Sequence, residues 1–232
     1  MIDKDGLLFL TAEEMAARDK EATGRFGVDV LALMENAGAA VALLSSRVLG
    51  GVRGKKFLVL AGKGNNGGDG LVAARRLCIW GGDVRVVLGC RREELRDSPA
   101  RQLIAVDGLG IPVDEVKGDI RGADLVVDSL LGYNSAGNPR GPVASLISAA
   151  NESGAPVLAV DLPSGLDATT GEPKDPCVRA AYTLTFGFPK TGFLDPRAGP
   201  LLGQLYCADI SLPHDVGPGE RARGDETVVR IW

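Results

Sequence analysis

The chain of 232 residues is long enough to bury a sizeable core, and its 45% hydrophobic and 24% charged residues are typical of a globular protein. A net charge of −4 argues against non-specific nucleic-acid binding, and no apolar run approaches the roughly 20 residues of a membrane helix. The first residues carry no signal pattern, so we expect a cytoplasmic protein. The four cysteines form no CxxC pair and are expected to be reduced, mostly buried structural thiols. The single histidine, His214, excludes a multi-histidine metal site and is expected in a surface turn.

Two helices are predicted at the start of the chain. Thr11 and Glu14 have the spacing of a capping box, in which each side chain bonds the backbone of the other residue, and they open the first helix. Asp29 is a candidate N-cap for a second helix over Val30 to Leu49, which the glycine at position 50 ends.

Strands and helices then alternate. The strands are predicted at 57–61, 84–88, 123–128, 157–161, 182–186 and 204–208, with a short edge strand at 227–231. The intervening helices are predicted at 69–80, 98–106 and 143–150, the second opened by Ser98 as N-cap and Pro99. This alternation predicts the α/β class: a Rossmann-like, doubly wound, mostly parallel sheet in an α-β-α sandwich with N-terminal helices. We interpret residues 1–232 as a single domain with a variable tail at 214–232.

In such a sheet, ligands bind beyond the carboxyl ends of the strands. Four polar loops follow predicted strands and are expected to converge on that edge, at 62–70, 128–134, 161–167 and 187–192. The first contains GxGxxG from Gly62 to Gly67, between a strand and a helix as dinucleotide binding requires. The acidic residue expected about 20 residues later is replaced by a segment with Arg91 and Arg92, which fits poorly with NAD in its usual orientation. A tight structural turn remains the alternative.

Asp128 and Asp161 each end a predicted buried strand. Either carboxylate by itself is explained equally well as a cap of the following turn. Two carboxylates at one sheet edge, accompanied by an amide and a hydroxyl, have the oxygen ligands that a hard cation prefers. Lys190, between a proline and a glycine, either binds phosphate, tunes a carboxylate or lies on the surface as most lysines do.

Five segments together resemble the NAD(P)H-hydrate epimerases, the YjeF N-terminal domain family. They are Met34 to Gly38, Ala61 to Gly70, Val127 onward through Gly132, Val160 to Asp167, and Gly187 to Lys190. The resemblance covers the chain in order from about Thr11 to Pro213. It implies a Rossmann-like sandwich that interconverts the R and S forms of hydrated NADH and NADPH, which are damaged nucleotides unable to donate hydride.

The resemblance also implies site residues. The substrate-binding positions are Asn65, Asn66, Gly67, Gly68, Asp69, Gly132, Tyr133, Asn134, Ser135, Ala136, Gly137, Asn138 and Asp161. The potassium (K+) ligands are Asn66, Asp128 and Ser164. A homodimer is implied, and so is a free-standing epimerase that works with a separately encoded NAD(P)H-hydrate dehydratase.

Inversion at the hydroxyl-bearing carbon needs a group that moves a proton, whether the ring loses water to an iminium or opens to an aldehyde. We expect Asp161 to be this catalytic residue. Two other functions are open: an NADP-dependent oxidoreductase that uses GxGxxG with Arg91 and Arg92, and a non-catalytic nucleotide-binding or scaffold module.

Overall fold

A computed structural model describes residues 7–116, 120–213 and 228–231, so His214 and most of the predicted tail lie outside the described residues. Within these described ranges, eight strands form a single sheet. Their bounds are β1 Lys56–Ala61, β2 Asp83–Leu88, β3 Val113–Glu115, β4 Leu125–Ser129, β5 Val157–Val160, β6 Tyr182–Phe186, β7 Gln204–Ala208 and β8 Val228–Arg230. The spatial order is β3-β2-β1-β4-β5-β6-β7-β8. All neighbours pair in parallel except β7 and β8, which confirms the predicted mostly parallel α/β sheet.

The chain winds outward from the middle of this sheet in both directions. From β1 it runs to β2 and β3 on one side, and it then crosses to β4 on the other side. The carboxyl ends of β1 and β4 therefore form the topological switch point, where doubly wound sheets bind ligands.

Six α-helices accompany the sheet in the part of the chain that the structure describes. Their bounds are α1 Ala12–Gly24, α2 Val30–Leu49, α3 Asn65–Ile79, α4 Asp97–Gly108, α5 Gly141–Glu152 and the short α6 Gly199–Leu202. The Thr11 capping box and the Asp29 N-cap are formed as predicted, and Gly50 ends α2 in the left-handed conformation. In the described part of the chain, no helix is long and apolar enough to span a membrane.

Helices cover both faces of the sheet because neighbouring residues of each buried strand point to opposite sides. In β1, Phe57 and Val59 pack in the core under α2, α3 and α4. Leu58 and Leu60 pack on the other face, against Leu146 and neighbouring residues of α5. This arrangement is the expected α-β-α sandwich.

Three helix starts differ from the prediction, and the smallest difference is at α5, which begins at Gly141 rather than at Val143. α3 begins at Asn65 rather than near Asp69, because Gly64 is extended and the amide-rich segment itself forms the first turn. α4 begins at Asp97 with Arg96 at the N-cap position, so Ser98 lies inside the first turn and does not cap the helix. Proline is tolerated there because the first turn leaves backbone N–H groups unpaired in any case.

The segment before α1 docks at the carboxyl edge of the sheet. Leu10 forms a parallel bridge with Lys190: its N–H donates to the Pro189 carbonyl at 2.9 Å, and its carbonyl accepts from the Thr191 N–H at 2.9 Å. The Ala12 N–H donates to the Thr169 hydroxyl at 3.0 Å. These bonds hold α1 across the loops that follow β5 and β6.

All four cysteines are free, as expected. Cys90 is buried, whereas Cys78, Cys177 and Cys207 are partly exposed, so the expectation of mostly buried thiols holds fully for one of them.

Candidate functional site

A cavity of about 840 Å³ opens at the switch point, between the carboxyl ends of β1 and β4 and the helices α1, α2 and α3. Its walls are apolar near Met15, Leu33 and Met34, and polar where the loops after the strands meet. Large, mostly apolar cavities with a few converging polar groups are typical of small-molecule sites. The loops predicted to converge here do so.

The glycine loop and the first turn of α3 form one wall. Gly62, Gly64, Asn65 and Asn66 line the cavity. No side chain caps the helix, so the first backbone N–H groups of α3 are available to an anion. A Cβ atom on Gly67 would lie 1.9 Å from the Gly62 carbonyl oxygen. Gly67 is therefore required for the turn to pack against itself, which bears out part of the structural-turn alternative.

Asp161 and Lys190 form a buried ion pair in the cavity wall. Their side chains are 6% and 1% exposed, and the Lys190 ammonium donates to Oδ1 of Asp161. The same oxygen accepts from the Thr185 hydroxyl at 3.2 Å and the Phe186 N–H at 3.3 Å. Oδ2 accepts no hydrogen bond from the described residues, and Asp161 lines the cavity. Of the alternatives for Lys190, the structure bears out its contact with a carboxylate, and a surface position is wrong because the chain buries it.

The backbone of Asp161 lies in the left-handed region, at φ +69°. This conformation is uncommon for a residue other than glycine, and such strain is concentrated at functional sites. The chain turns sharply there as it leaves β5, which directs the carboxyl group along the edge of the sheet rather than into the next helix.

Asp128, Ser164 and Asn66 meet around the peptide of Leu131. Oδ1 of Asp128 accepts from the Ser164 hydroxyl at 2.6 Å, and Oδ2 accepts from the Ser164 N–H at 2.8 Å. The Leu131 N–H donates to the Ser164 hydroxyl at 2.9 Å, and the Asn66 amide donates to the Leu131 carbonyl at 3.0 Å. The three side chains predicted to hold a cation are therefore brought together.

Burial determines the charge state of Asp128. It raises the pKa of this carboxyl to about 6, although the hydrogen bonds from Ser164 and Leu130 oppose the shift. Asp128 is fully buried, and no lysine or arginine of the described residues pairs with it. Within the described residues, no group of three His, Cys, Asp or Glu side chains has metal-binding geometry. A cation here would instead bind amide, carboxylate and hydroxyl oxygens.

Tyr133 joins the cavity to α1. Its hydroxyl donates to Oδ2 of Asp19 at 2.5 Å, and the Lys190 ammonium lies 5.9 Å from the centre of its ring. Burial raises the pKa of Asp19, and it also raises the pKa of the Tyr133 hydroxyl. The sequence analysis missed Asp19 because it lies on a polar helix, 114 residues from its partner, and carries no local motif.

Asp69 also lines the cavity, at the end of the first turn of α3. Its pKa is raised well above the ordinary value, first by burial and then by the charges of Asp161 and Asp19. Its carboxyl forms no hydrogen bond or ion pair within the described part of the chain. Asp19, Asp69 and Asp161 are thus three carboxyl groups that line the cavity together with one ammonium, that of Lys190.

The predicted substrate segment 132–138 reaches the cavity with its first part. Gly132, Tyr133, Asn134 and Ser135 line the cavity, whereas Ala136, Gly137 and Asn138 do not. Likewise Gly68 packs against Met34, where a Cβ atom would meet the sulfur at 2.6 Å.

The two arginines after β2 have different positions. Arg91 lines the cavity, as does Lys63. Arg92 pairs with Asp107 at 2.7 Å and Glu115 at 3.3 Å, outside the cavity. The oxidoreductase alternative needed both arginines at the nucleotide, and the structure places only one there.

Comparisons with known proteins agree with this geometry. Residues 30–192 match a family model described as YjeF-related protein N-terminus. The chain is 39% identical over 206 residues to an NAD(P)H-hydrate epimerase of Dehalogenimonas lykanthroporepellens, with 88% of this chain and 82% of that protein covered. It is 33% identical to an NAD(P)H-hydrate epimerase of Lentilactobacillus buchneri, with 88% and 94% covered.

Longer relatives match as well. The chain is 36% identical over 217 residues to a bifunctional NAD(P)H-hydrate repair enzyme Nnr of Moorella thermoacetica and spans 41% of its length. Among solved structures, yeast ynu0 (YNL200c) superposes with a TM-score of 0.83 at 24% identity, covering 97% of this chain and all of that one. The structural likeness shows the shared fold.

Proposed function

The chain belongs to the family of YjeF-related N-terminal domains, and from this premise we propose that it is an NAD(P)H-hydrate epimerase, an isomerase that interconverts the R and S hydrates of NADH and NADPH. The observation that carries the proposal is the buried Asp161–Lys190 pair, which presents one carboxylate oxygen to a nucleotide-sized cavity. Relatives that bear the name NAD(P)H-hydrate epimerase match over most of their own length.

The nucleotide diphosphate binds at the first turn of α3. The unpaired N–H groups that follow Gly64 attract an anion, and the helix dipole adds to this attraction. Asn65 and Asn66 line the cavity at that point, and Asn134 and Ser135 offer polar side chains from the opposite loop. This placement extends the hydrated nicotinamide along the cavity toward Asp161.

Asp161 moves the proton at the hydroxyl of the hydrated ring. Lys190 compensates the charge of its Oδ1, which leaves Oδ2 as the oxygen that reaches the ligand. A positioned carboxylate within hydrogen-bond reach of the reacting hydroxyl acts as general acid or base in both routes, through an iminium or through ring opening. The apolar wall around Met34 and Leu33 keeps bulk water from the ring.

Potassium fits the second cluster. A fully buried carboxylate without a cationic partner among the described residues, next to amide and hydroxyl oxygens, is the donor set of a hard cation. Asn66, Asp128 and Ser164 would hold the ion. When bound, the ion supplies positive charge that compensates Asp128. The chain's own part is to fix the Leu131 peptide between the glycine loop and the loop after β5.

The bifunctional relatives suggest the partner. Their epimerase-like region is joined to a further region in one chain, and this chain spans about two fifths of their length. We infer that a dehydratase acting on one hydrate consumes the product of this protein. We further propose that the protein is a homodimer and that it acts on nucleotides in solution.

Conversion of a single hydrate tests the function. The purified protein is incubated with the R hydrate of NADPH, and the S hydrate is followed by chromatography against the spontaneous rate. We expect faster equilibration of the two forms with no change in total hydrate. Reduction or oxidation of NADP in the presence of an alcohol would favour the oxidoreductase, and binding of NADP without conversion of either hydrate would favour a nucleotide-binding module.

A further inference from the structure

We propose that Asp69 is the second proton-transfer group of the site, a neutral carboxylic acid that protonates the departing hydroxyl on one face of the hydrated ring while Asp161 serves the other face. This inference rests on the proposed function and adds to it a residue with a distinct role. Asp69 belongs to the segment expected to bind the substrate through backbone groups. Its carboxyl group has no role in that binding.

The first argument is the arrangement of the carboxyl groups. Asp19 lies on α1, Asp69 in the first turn of α3 and Asp161 beyond β5, and all three line one cavity. Asp161 is paired with Lys190, and Asp19 accepts the Tyr133 hydroxyl at 2.5 Å. Asp69 is left without a partner among the described residues. Its carboxyl is therefore available to a ligand in the cavity.

The second argument is charge. Three carboxyl groups share one ammonium, so repulsion among them favours a proton on one of the three. Burial and the like charges of Asp161 and Asp19 raise the pKa of Asp69 well above its ordinary value. The Tyr133 hydrogen bond and the Lys190 charge oppose the corresponding shift of Asp19.

Two other acidic groups on elements packed against α3 have partners elsewhere. Glu35 of α2 pairs with Arg75 and Arg76 of α3 itself. Asp128 at the end of β4 is bonded by Ser164. The proton of the cluster is therefore assigned to Asp69.

A protonated carboxyl is a hydrogen-bond donor, and two carboxyl groups held in different protonation states mark an acid and a base. In the iminium route, the Asp69 proton passes to the ring hydroxyl, and the C–O bond breaks with its electron pair leaving on water. The nitrogen lone pair forms the C=N bond. A water then adds from the other face, the C=N electrons return to nitrogen, and Oδ2 of Asp161 takes the proton.

The step balances without any oxidant or reductant, because one water leaves and one water enters. Asp69 ends ionised and Asp161 protonated, which is the arrangement that the reverse reaction needs. Because Asp69 lies on α3 and Asp161 follows β5, the two carboxyl groups enter the cavity from different elements, and a ring held between them is served on both faces. A single proton-transfer group would have to serve both faces in turn.

Asp69→Asn tests the assignment, with Asp19→Asn as the matched control on the neighbouring wall. The wild-type kcat/KM is expected to fall as the pH rises through the pKa of Asp69, because only the protonated acid donates. In Asp69→Asn, kcat falls by about 10²–10⁴-fold, KM changes much less, and this alkaline decline disappears. In Asp19→Asn the decline remains and moves to lower pH, because one like charge beside Asp69 is gone.

A second readout does not depend on turnover. The carboxyl carbons of aspartate are labelled with ¹³C, and their titration is followed by NMR in the wild type and in Asp69→Asn. Aspartate resonances that titrate above the ordinary range are expected in the wild type, and one of them is absent from the variant while that of Asp128 remains. Two results would overturn the role of Asp69 without affecting the proposed function. One is that Asp69→Asn retains every such resonance. The other is that a folded Asp69→Asn keeps more than a tenth of the wild-type kcat and an unchanged pH profile. A wild type that does not interconvert the hydrates overturns the proposed function itself.

Discussion

Asp128 and Asp161 stand at the ends of neighbouring parallel strands, and they differ in the donors that meet them. Both oxygens of Asp128 accept bonds from neutral groups, chiefly the backbone and hydroxyl of Ser164. One oxygen of Asp161 accepts a bond from the Lys190 ammonium, and the other faces the cavity. Two carboxylates at equivalent positions in the topology therefore have different hydrogen-bond partners.

This difference separates their chemical uses. The charge of Asp128 is not compensated by any described side chain, so binding of a cation from solution there would be favourable. The charge of Asp161 is compensated from within the fold, so its second oxygen is left for a ligand. Position at a strand end marks both residues as candidates, but the nature of the neighbouring donors decides between ion binding and proton transfer.

The largest effect is expected from Asp161→Asn, which keeps the size and the acceptor for Lys190 but removes the carboxylate oxygen proposed to transfer the proton. The catalysed rate of hydrate epimerisation should fall by about 10²–10⁴-fold, with substrate binding changed far less. Asp167→Asn, in the same loop but bonded to backbone N–H groups away from the cavity, is the matched control. A folded Asp161→Asn that keeps most of its turnover would remove the distinction between the two aspartates.

Lys190→Met sharpens the comparison because it leaves Asp161, like Asp128, without a charged partner. It leaves a buried carboxylate unpaired, and we expect a loss of about 3–5 kcal/mol in the free energy of unfolding at neutral pH. The loss is smaller at low pH, where the carboxyl accepts a proton. Urea denaturation measures it. Lys174→Met, which breaks the exposed pair with Glu172, is expected to shift the midpoint little.

Recovery in the double variant supports the same reading, since Asp161→Asn with Lys190→Met no longer buries a lone charge. If Lys190→Met were as stable as the wild type at every pH, the ion pair would not be the compensation that the structure indicates.

The stabilising effect of potassium should depend on Asp128 and not on Asp161. Replacing choline chloride with potassium chloride at constant ionic strength is expected to stabilise the wild type, by about 2.7 kcal/mol when the ion is 100-fold above its dissociation constant. Asp128→Ala should lose this response and the potassium dependence of activity, whereas Asp161→Asn should keep the response. Thermal melting in both salts measures it, and an undiminished response in Asp128→Ala would place the ion elsewhere.

The smallest effect concerns the link between α1 and the cavity. Tyr133→Phe removes the hydrogen bond to Asp19 and should lower the free energy of unfolding by about 1 kcal/mol. Asp19→Asn in the Tyr133→Phe background should then cost less than it does in the wild type. A double-mutant cycle by urea denaturation measures this coupling. Strictly additive losses would mean that the two side chains do not interact in solution.

Local patterns were sufficient for most of the fold. The buried apolar runs of β1 and β4 to β7 and the caps at Thr11 and Asp29 are short-range signals, and the elements follow them. The three-residue β3 was missed because its residues are partly exposed and too few to show a period. The start of α3 was misplaced because asparagine and glycine usually signal a turn, whereas packing of Gly67 against Gly62 carries the helix back to Asn65.

The site residues also differ in whether local sequence patterns reveal them. Asp128 and Asp161 were found because strand ends are readable in the sequence. The burial of Lys190, its pairing with Asp161 and the approach of Asp19 to Tyr133 depend on contacts across the fold, which no spacing along the chain reveals.

The bridge between Leu10 and Lys190 also sets an order on biosynthesis. α1 leaves the ribosome before the strands of the sheet, yet the atoms that hold its start belong to residues 189–191, which follow β6. The Tyr133 hydroxyl that binds Asp19 is likewise made more than a hundred residues after α1. α1 is therefore translated well before it can dock, and the cavity is enclosed only once the strand β6 and the lysine after it have emerged.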